Sequence, residues 1–364
     1  MRDAPLPLGA TIGLLGGGQL GRMLAAAASE LGFICHIYCP DLDSPAFDMA
    51  RYKTVASYDD EEALMAFAKS VDVVTYEFEN VPARTAELIS HHVALRPGVL
   101  ALSTAQDRLS EKRFLSDAGV PIARFATVSN QDELRAGLST LGGSGVLKTR
   151  RFGYDGKGQV MIKSISDIAK TEALVTAADG CVLEEIIPFD HEISVVAARS
   201  LGGRTEAYEA GRNDHHDHIL RTTTLPTDLS EQARRDALSI ANVILEQLNY
   251  IGIIGIEFFV LRRPDRDRLL VNEIAPRVHN SGHWTQDAAR TSQFEQHIRA
   301  VAGWPLGNPM RTHNVVMENL IGDDVLRVPK LASDQSARCH IYGKSAIRPG
   351  RKMGHVNWIG TACH

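Results

Sequence analysis

Short apolar runs alternate with helix-like stretches over the first hundred residues. Thr11 to Leu15, Phe33 to Tyr38 and Val71 to Tyr76 are strand-like, and the alanine-rich Gln19 to Leu31 reads as a helix. Strands alternating with helices predict parallel pairing in an open α/β sheet. Leu95-Arg96-Pro97-Gly98 interrupts the pattern and marks the way out of this unit.

A second pattern starts near Ala105. Asp107 to Ala118 is a charged helix stopped by Gly119 and Pro121. Strand-like runs return at Gly145 to Lys148, Gln159 to Ile162, Cys181 to Ile187 and Glu192 to Ala198. Ser230 to Asn249 is helical, and Ile251 to Leu261 and Leu269 to Ile274 are strands. A smaller module follows Pro305 and carries the basic loop Arg348-Pro-Gly-Arg-Lys352. There is no internal repeat.

At 364 residues the chain exceeds one compact core, and two or three domains are expected. A formal net charge of -5 argues against a general nucleic-acid binder. Five scattered cysteines without a C-x-x-C pair fit a reducing compartment better than disulfides or structural zinc. No apolar run approaches the length of a membrane span. Leu8 to Leu20 carries too many glycines for a secretory signal, so a soluble cytoplasmic protein is expected.

Several motifs carry chemistry. Gly16-Gly-Gly-Gln-Leu-Gly21, between a strand and a helix, satisfies G-x-G-x-x-G. It suits either a dinucleotide site or a glycine turn that packs the helix. Gly153-Tyr-Asp-Gly-Lys-Gly158 lacks Walker spacing and reads as a flap over phosphates, with Lys148 on the preceding strand as a fixed charge. Asn213-Asp-His-His-Asp-His218 is read as a polar loop with one functional histidine. His279 and His283 have metal-pair spacing, but Gly282 argues against a regular helix, leaving an orienting role.

The sharpest constellation is Glu257 and Glu273. A turn centred on Asp265 would set them directly opposite one another on one face of a hairpin. Facing carboxylates require a cation between them, and hard oxygen ligands call for magnesium on nucleotide phosphates. By alternation Asn272 points the other way, so it can share the role only through a bulge or a twist at the strand end. The dense polar run Asn272 to Thr285, N-E-I-A-P-R-V-H-N-S-G-H-W-T, then emerges from a rigid strand, as active-site segments commonly do. The parts assemble into phosphoryl-transfer chemistry by positioning and charge neutralisation.

The order Asp107-Arg108, Lys148, G-Y-D-G-K-G-Q, Glu184-Glu185-Ile186-Ile187, Glu192, Glu257 and Asn272-Glu273 resembles the ATP-grasp superfamily. Gly18-Gln-Leu-Gly-Arg-Met23, Tyr76-Glu-Phe-Glu-Asn80, the fourteen-residue run and Arg348 to His355 resemble, within it, the 5-(carboxyamino)imidazole ribonucleotide synthetases. The likeness spans about residues 10 to 357. It implies an α/β fold of three units: an open parallel domain over 1–104, an ATP-grasp domain over 105–304 with a lid at about 122–187, and a C-terminal domain over 305–364.

It also implies a homodimer using ATP and one or two Mg2+, without biotin or NAD. The activity would be carboxylation of 5-aminoimidazole ribonucleotide by bicarbonate through carboxyphosphate. The alternatives are a formate-using transformylase of glycinamide ribonucleotide and a nicotinamide-dependent dehydrogenase. The resemblance assigns ATP contacts to Arg108, Lys148, Gly153, Tyr154, Asp155, Gly156, Lys157, Gly158, Gln159, Glu184, Glu185, Ile186, Ile187, Glu192, His215, Asn272 and Glu273. Glu257, Glu273 and Asn272 would hold magnesium. Arg277 would clamp bicarbonate, with Tyr154 and Asp155 also catalytic. Gln19, Leu20, Glu77 and Asn280 would orient the ribonucleotide, and Lys344, Arg351 and Lys352 would hold its phosphate.

Overall fold

The structure, a computed structural model, describes residues 4–153, 156–176, 179–263 and 266–363. Tyr154, Asp155 and the turn residue Asp265 lie outside the described residues.

The expected open parallel sheet is present. Strands Tyr52–Thr54, Ile34–Tyr38, Thr11–Leu15 and Val73–Tyr76 pair in that order, all parallel. The helix Gln19–Glu30 buries Leu20, Met23, Leu24, Ala27 and Ala28, the single stripe that a 3.6-residue period produces. The strand Tyr52–Thr54 was not foreseen; it is three residues long, and its first two are exposed, so it carries no apolar signal.

The centre of the molecule is a nine-stranded sheet. Its main path runs Arg268–Ala275, Gly252–Leu261, His191–Arg199, Gly211–His216, Ile219–Leu225, His313–Ile321, Lys352–Ala362 and Ala337–Ile341. The C-terminal strands thus extend the central sheet, joined where Thr222 pairs with Glu318 and Thr224 with Val316. Ile193, Val195 and Ala197 alternate inward and pack with Ala233, Ala237, Ala241 and Ile244 of the helix Glu231–Gln247. Ser230 caps that helix by accepting from the Ala233 N–H at 3.2 Å. Removing the Ile244 side chain from this layer would cost about 2–5 kcal/mol.

Six strand steps separate Arg268–Ala275 from Lys352–Ala362, roughly 29 Å in a flat sheet at about 4.8 Å per step. Glu273 and Lys352 nevertheless line one cleft, so the sheet coils around it.

A third sheet pairs Phe125–Val128, Cys181–Glu184, Gly145–Thr149 and Gln159–Ile162, all antiparallel. Glu185, Ile186 and Ile187 follow its Cys181 strand rather than extending it. Asn213–His218, expected as a loop, is instead the tip of a β-hairpin. Its strands meet at Asp217 and His218, both with positive φ, and a polar strand facing a cleft has no apolar alternation to betray it.

Candidate active site

The cleft, about 380 Å³, lies between the coiled sheet, the antiparallel sheet and the parallel domain. Strand Gly252–Leu261 brings Glu257 opposite Glu273, as the hairpin argument expected. The reason is subtler than a turn centred on Asp265. From Leu261↔Arg268 to Phe258↔Val271 the ladder is centred half a residue earlier, and a bulge then restores the Glu257↔Glu273 pair. Asn272 is the extra residue of that bulge, and it lines the cleft together with Glu273.

The carboxylates destabilise one another's charge. Burial, then Glu273 and Glu192, push the Glu257 carboxyl well above its ordinary range. Burial and Glu273 raise Glu192 to about 7. Among the described residues, Glu192, His215 and Glu257 place ligand atoms within 4.8 Å of one another. Glu273 turns toward the Arg108 guanidinium at 3.7 Å. The buried Asn272 Oδ1 accepts no hydrogen bond. Oxygen-rich, mutually repelling donors with an unmet acceptor fit a hard divalent cation.

Behind them lies a buried ion cluster. Lys148 Nζ and Lys112 Nζ approach Glu184 Oε2 at 3.0 and 3.4 Å. Burial alone would raise Glu184, but Lys112, Lys148 and Arg108 outweigh it and hold the carboxyl at about 2. Glu184 Oε1 is buried without a hydrogen-bond partner. Glu185 instead pairs at the surface with Arg124, at 2.9 Å.

Beyond the strand end, the chain is pinned at each step. Arg277 forks onto Glu79, with Nη2 to Oε1 at 2.7 Å and Nε to Oε2. Burial raises Glu79, yet Arg277 overrides it and holds the carboxyl below its usual range. His279 Nε2 lies 3.5 Å from Glu257 Oε1, and burial with Arg277 lowers that imidazole to about 3. Asn280 and Asn319 exchange reciprocal amide bonds of 3.0 and 2.6 Å. Asn280 opens a 3-10 turn through Gly282, so His279 and His283 share no regular helix, as expected. His283 is fully buried, bonded through Nδ1 to Gln293 at 3.0 Å.

The glycine turn is already occupied. Glu77 accepts from the N–H groups of Gly18 at 2.8 Å and Gly21 at 3.2 Å, filling the place an incoming pyrophosphate would take. Gly16, at φ +113°, passes so close that a Cβ would sit 2.6 Å from Glu77 Oε1. The dinucleotide reading therefore has no socket, and the turn packs the helix.

Gln19, Leu20, Arg108, Lys148, Gly153, Gly156, Lys157, Gln159, Glu192, His215, Arg277, Asn280 and Lys352 all line the cleft with the metal-type residues. Glu77, Gly158, Glu184, Glu185, Ile186, Ile187, Lys344 and Arg351 stand outside the lining. Lys344 lies over the Tyr342 ring and donates to the Lys352 carbonyl at 2.6 Å. Arg351 donates to the Ala346 carbonyl at 2.8 Å. Glu79, Glu111 and His218 line the cleft and received no role from the sequence. Glu79 and His218 lay inside motifs that drew attention, and Glu111 did not.

Comparisons with known proteins match three families along the chain. The ribonucleotide synthetase preATP-grasp domain family matches residues 9–106, the ATP-grasp domain family 113–294 and the phosphoribosylaminoimidazole carboxylase C-terminal domain family 315–363. Fold and site together define the ATP-grasp class. N5-carboxyaminoimidazole ribonucleotide synthase of Brucella melitensis is 46% identical over 360 residues, covering 99% of each chain. The N5-carboxyaminoimidazole synthetase of Staphylococcus aureus complexed with ADP superposes with a TM-score of 0.93 at 36% identity, over 98% of this chain and 95% of that one. The Aspergillus clavatus enzyme, in complex with ADP and 5-aminoimidazole ribonucleotide, gives 0.89 at 29% identity, over 97% and 94%. The chain belongs to the N5-carboxyaminoimidazole ribonucleotide synthase family.

Proposed function

We propose that this chain carboxylates the exocyclic amine of 5-aminoimidazole ribonucleotide, consuming ATP and bicarbonate and releasing ADP and phosphate. The observation that carries the reading is the convergence of Asn272, Glu273, Arg277, His279 and Asn280, from one short segment, on a single cleft with Lys148 and Lys352. Relatives of this family have been crystallised with ADP and with the ribonucleotide.

Glu257, Glu273 and Asn272 would hold magnesium, which supplies charge neutralisation on the transferring phosphate. Arg108 and Lys148 flank the nucleotide phosphates, and Glu184 Oε1 offers an acceptor to the base. Arg277 orients bicarbonate, whose oxygen attacks the γ-phosphorus and displaces ADP, giving carboxyphosphate. Gly153 to Gln159 close over that intermediate, because water would hydrolyse it. The ribonucleotide amine takes the carboxyl carbon and phosphate leaves. Gln19, Leu20, Glu77 and Asn280 would orient the amine, and Lys352, with Lys344 and Arg351 once these turn from their backbone partners, would hold its phosphate. The homodimer, cytoplasmic location and division at 104/105 and 304/305 belong to the same reading. Among the described residues, no helix is long and apolar enough to cross a membrane.

The test is ADP release with each substrate omitted in turn. Release that requires both bicarbonate and the ribonucleotide supports the proposal; release indifferent to them refutes it. Glu273→Gln should abolish turnover with the circular dichroism spectrum unchanged, and retained activity would remove Glu273 from the metal site.

A further inference from the structure

The strand that presents Asn272 and Glu273 is the terminal strand of the nine-stranded sheet, and among the described residues its outer side meets only an isolated bridge from Ile122 to Val271. Pro121 accepts the N–H of Val271 at 2.8 Å. Beyond that point two side chains take over. Lys112 Nζ donates to the Asn272 carbonyl at 2.6 Å, and Glu111 Oε1 accepts from the Ile274 N–H at 2.6 Å. These two backbone groups belong to the peptide planes on either side of Glu273. A residue's φ and ψ are fixed once its flanking planes are fixed, and with them the direction of its Cα–Cβ bond.

Both side chains are consecutive on the helix Arg108–Asp117, more than 150 residues earlier in the chain. That helix is anchored at its start by Asp107, which accepts from the N–H groups of Leu109 and Ser110 at 3.0 and 3.2 Å. Asp107 is gripped in turn by Arg150 at 2.6 Å. Lys112 is fully buried and is shared with Glu184 at 3.4 Å. A buried ammonium is costly without such partners, so its aim at a backbone carbonyl is a strong geometric constraint.

We propose that Glu111 and Lys112 are positioning residues that clamp the bulge at Asn272-Glu273 and thereby aim its oxygens at a divalent cation. Neither has to touch substrate. The clamp rests on the reading of Glu273 as a metal ligand and deepens it. It predicts that the acceptor oxygen of Glu111, rather than its charge, matters: Glu111→Gln keeps an oxygen for the Ile274 N–H, whereas Glu111→Leu removes it at similar size.

The experiment is Mn2+ binding to the full chain in the presence of ADP, read from the electron paramagnetic resonance signal of unbound Mn2+. Glu111→Leu and Lys112→Met should each weaken Mn2+ binding by about 10- to 100-fold, as loss of an outer-layer partner of a metal ligand does, while Glu111→Gln stays within about threefold of wild type. The Mg2+ requirement for ADP release should shift in parallel, and the KM for the ribonucleotide should hold. Wild-type Mn2+ affinity in Glu111→Leu, or equal losses in the Gln and Leu variants, would overturn the clamp. Should Glu111→Leu fail to fold, Glu111→Gln and Lys112→Met decide: wild-type affinity in Lys112→Met refutes the clamp. A Glu273→Gln control separates the two ideas: unaltered Mn2+ binding there refutes the ligand assignment and the clamp with it, whereas weakened binding there beside wild-type affinity in Glu111→Leu and Lys112→Met refutes the clamp alone.

Discussion

Glu77 shows how one carboxylate can decide what a glycine-rich turn does. The turn and the helix start behind it present N–H groups suited to an anion, and Glu77 supplies that anion from within the chain. Its pocket raises the carboxyl through burial, opposed by the Gly18 N–H and by Arg277. Gly16→Ala should therefore cost about 1–3 kcal/mol, since the positive φ and the Glu77 contact both reject a Cβ. Thermal melts of the variant check this, and an unchanged midpoint would contradict it. Arg277 and Glu79 make a second lesson at this scale. The arginine was legible from its segment, but its partner lies 198 residues away and nothing local marks Glu79 above the neighbouring acids.

At the level of elements, most strands and helices were legible because their periodicities were strong, and the hairpin geometry of Glu257 and Glu273 followed from counting. The bulge was not. Strict alternation sends Asn272 to the far face, and what reverses it is a helix whose side chains replace a missing strand. The hairpin tip Asn213–His218 was hidden for the opposite reason, being polar where a strand is expected to alternate. The assembled strands also set a pH dependence. Glu111 and Glu192 titrate near 7 in the folded chain, both raised chiefly by burial and by Glu273. Raised carboxyl values contribute stability that is present in acid and fades as pH rises through about 7. Of the two, Glu192 belongs to the cluster of ligand atoms, and a divalent cation there binds its ionised form and must displace its proton. The gain in melting temperature on adding MgCl2 should thus be larger at about pH 8 than at about pH 5.5. Equal gains would show that Glu192 does not face the cation. His297, bridging Thr75 Oγ1 at 2.8 Å and the Ile253 N–H at 3.1 Å, is lowered to about 3 by burial. Its contribution runs the other way, lost as pH falls below about 6.5, so Tm should be compared with and without cation at each pH.

Across the whole molecule, six of the residues gathered in the cleft come from strands of one sheet: Glu273, Glu257, Glu192, His215, Leu220 and, past the Asn319 strand, Lys352. Separating the C-terminal strands would bare the edge of Ile219–Leu225 with its buried Leu220 and Leu225. A chain ending at residue 304 should consequently be recovered as aggregate, and a soluble, cooperatively melting fragment would contradict that. The continuous sheet also governs which length changes the gene can tolerate. An insertion between Leu261 and Arg268 leaves every spacing in the cleft intact. Deleting one residue from Ile219–Leu225 turns each later side chain of that strand to the opposite face and shifts the register carried on to Lys352. Viable length variants should therefore cluster in the connections and be absent from the strands between Glu192 and Lys352, a pattern that a deletion library scored by growth without purines would reveal.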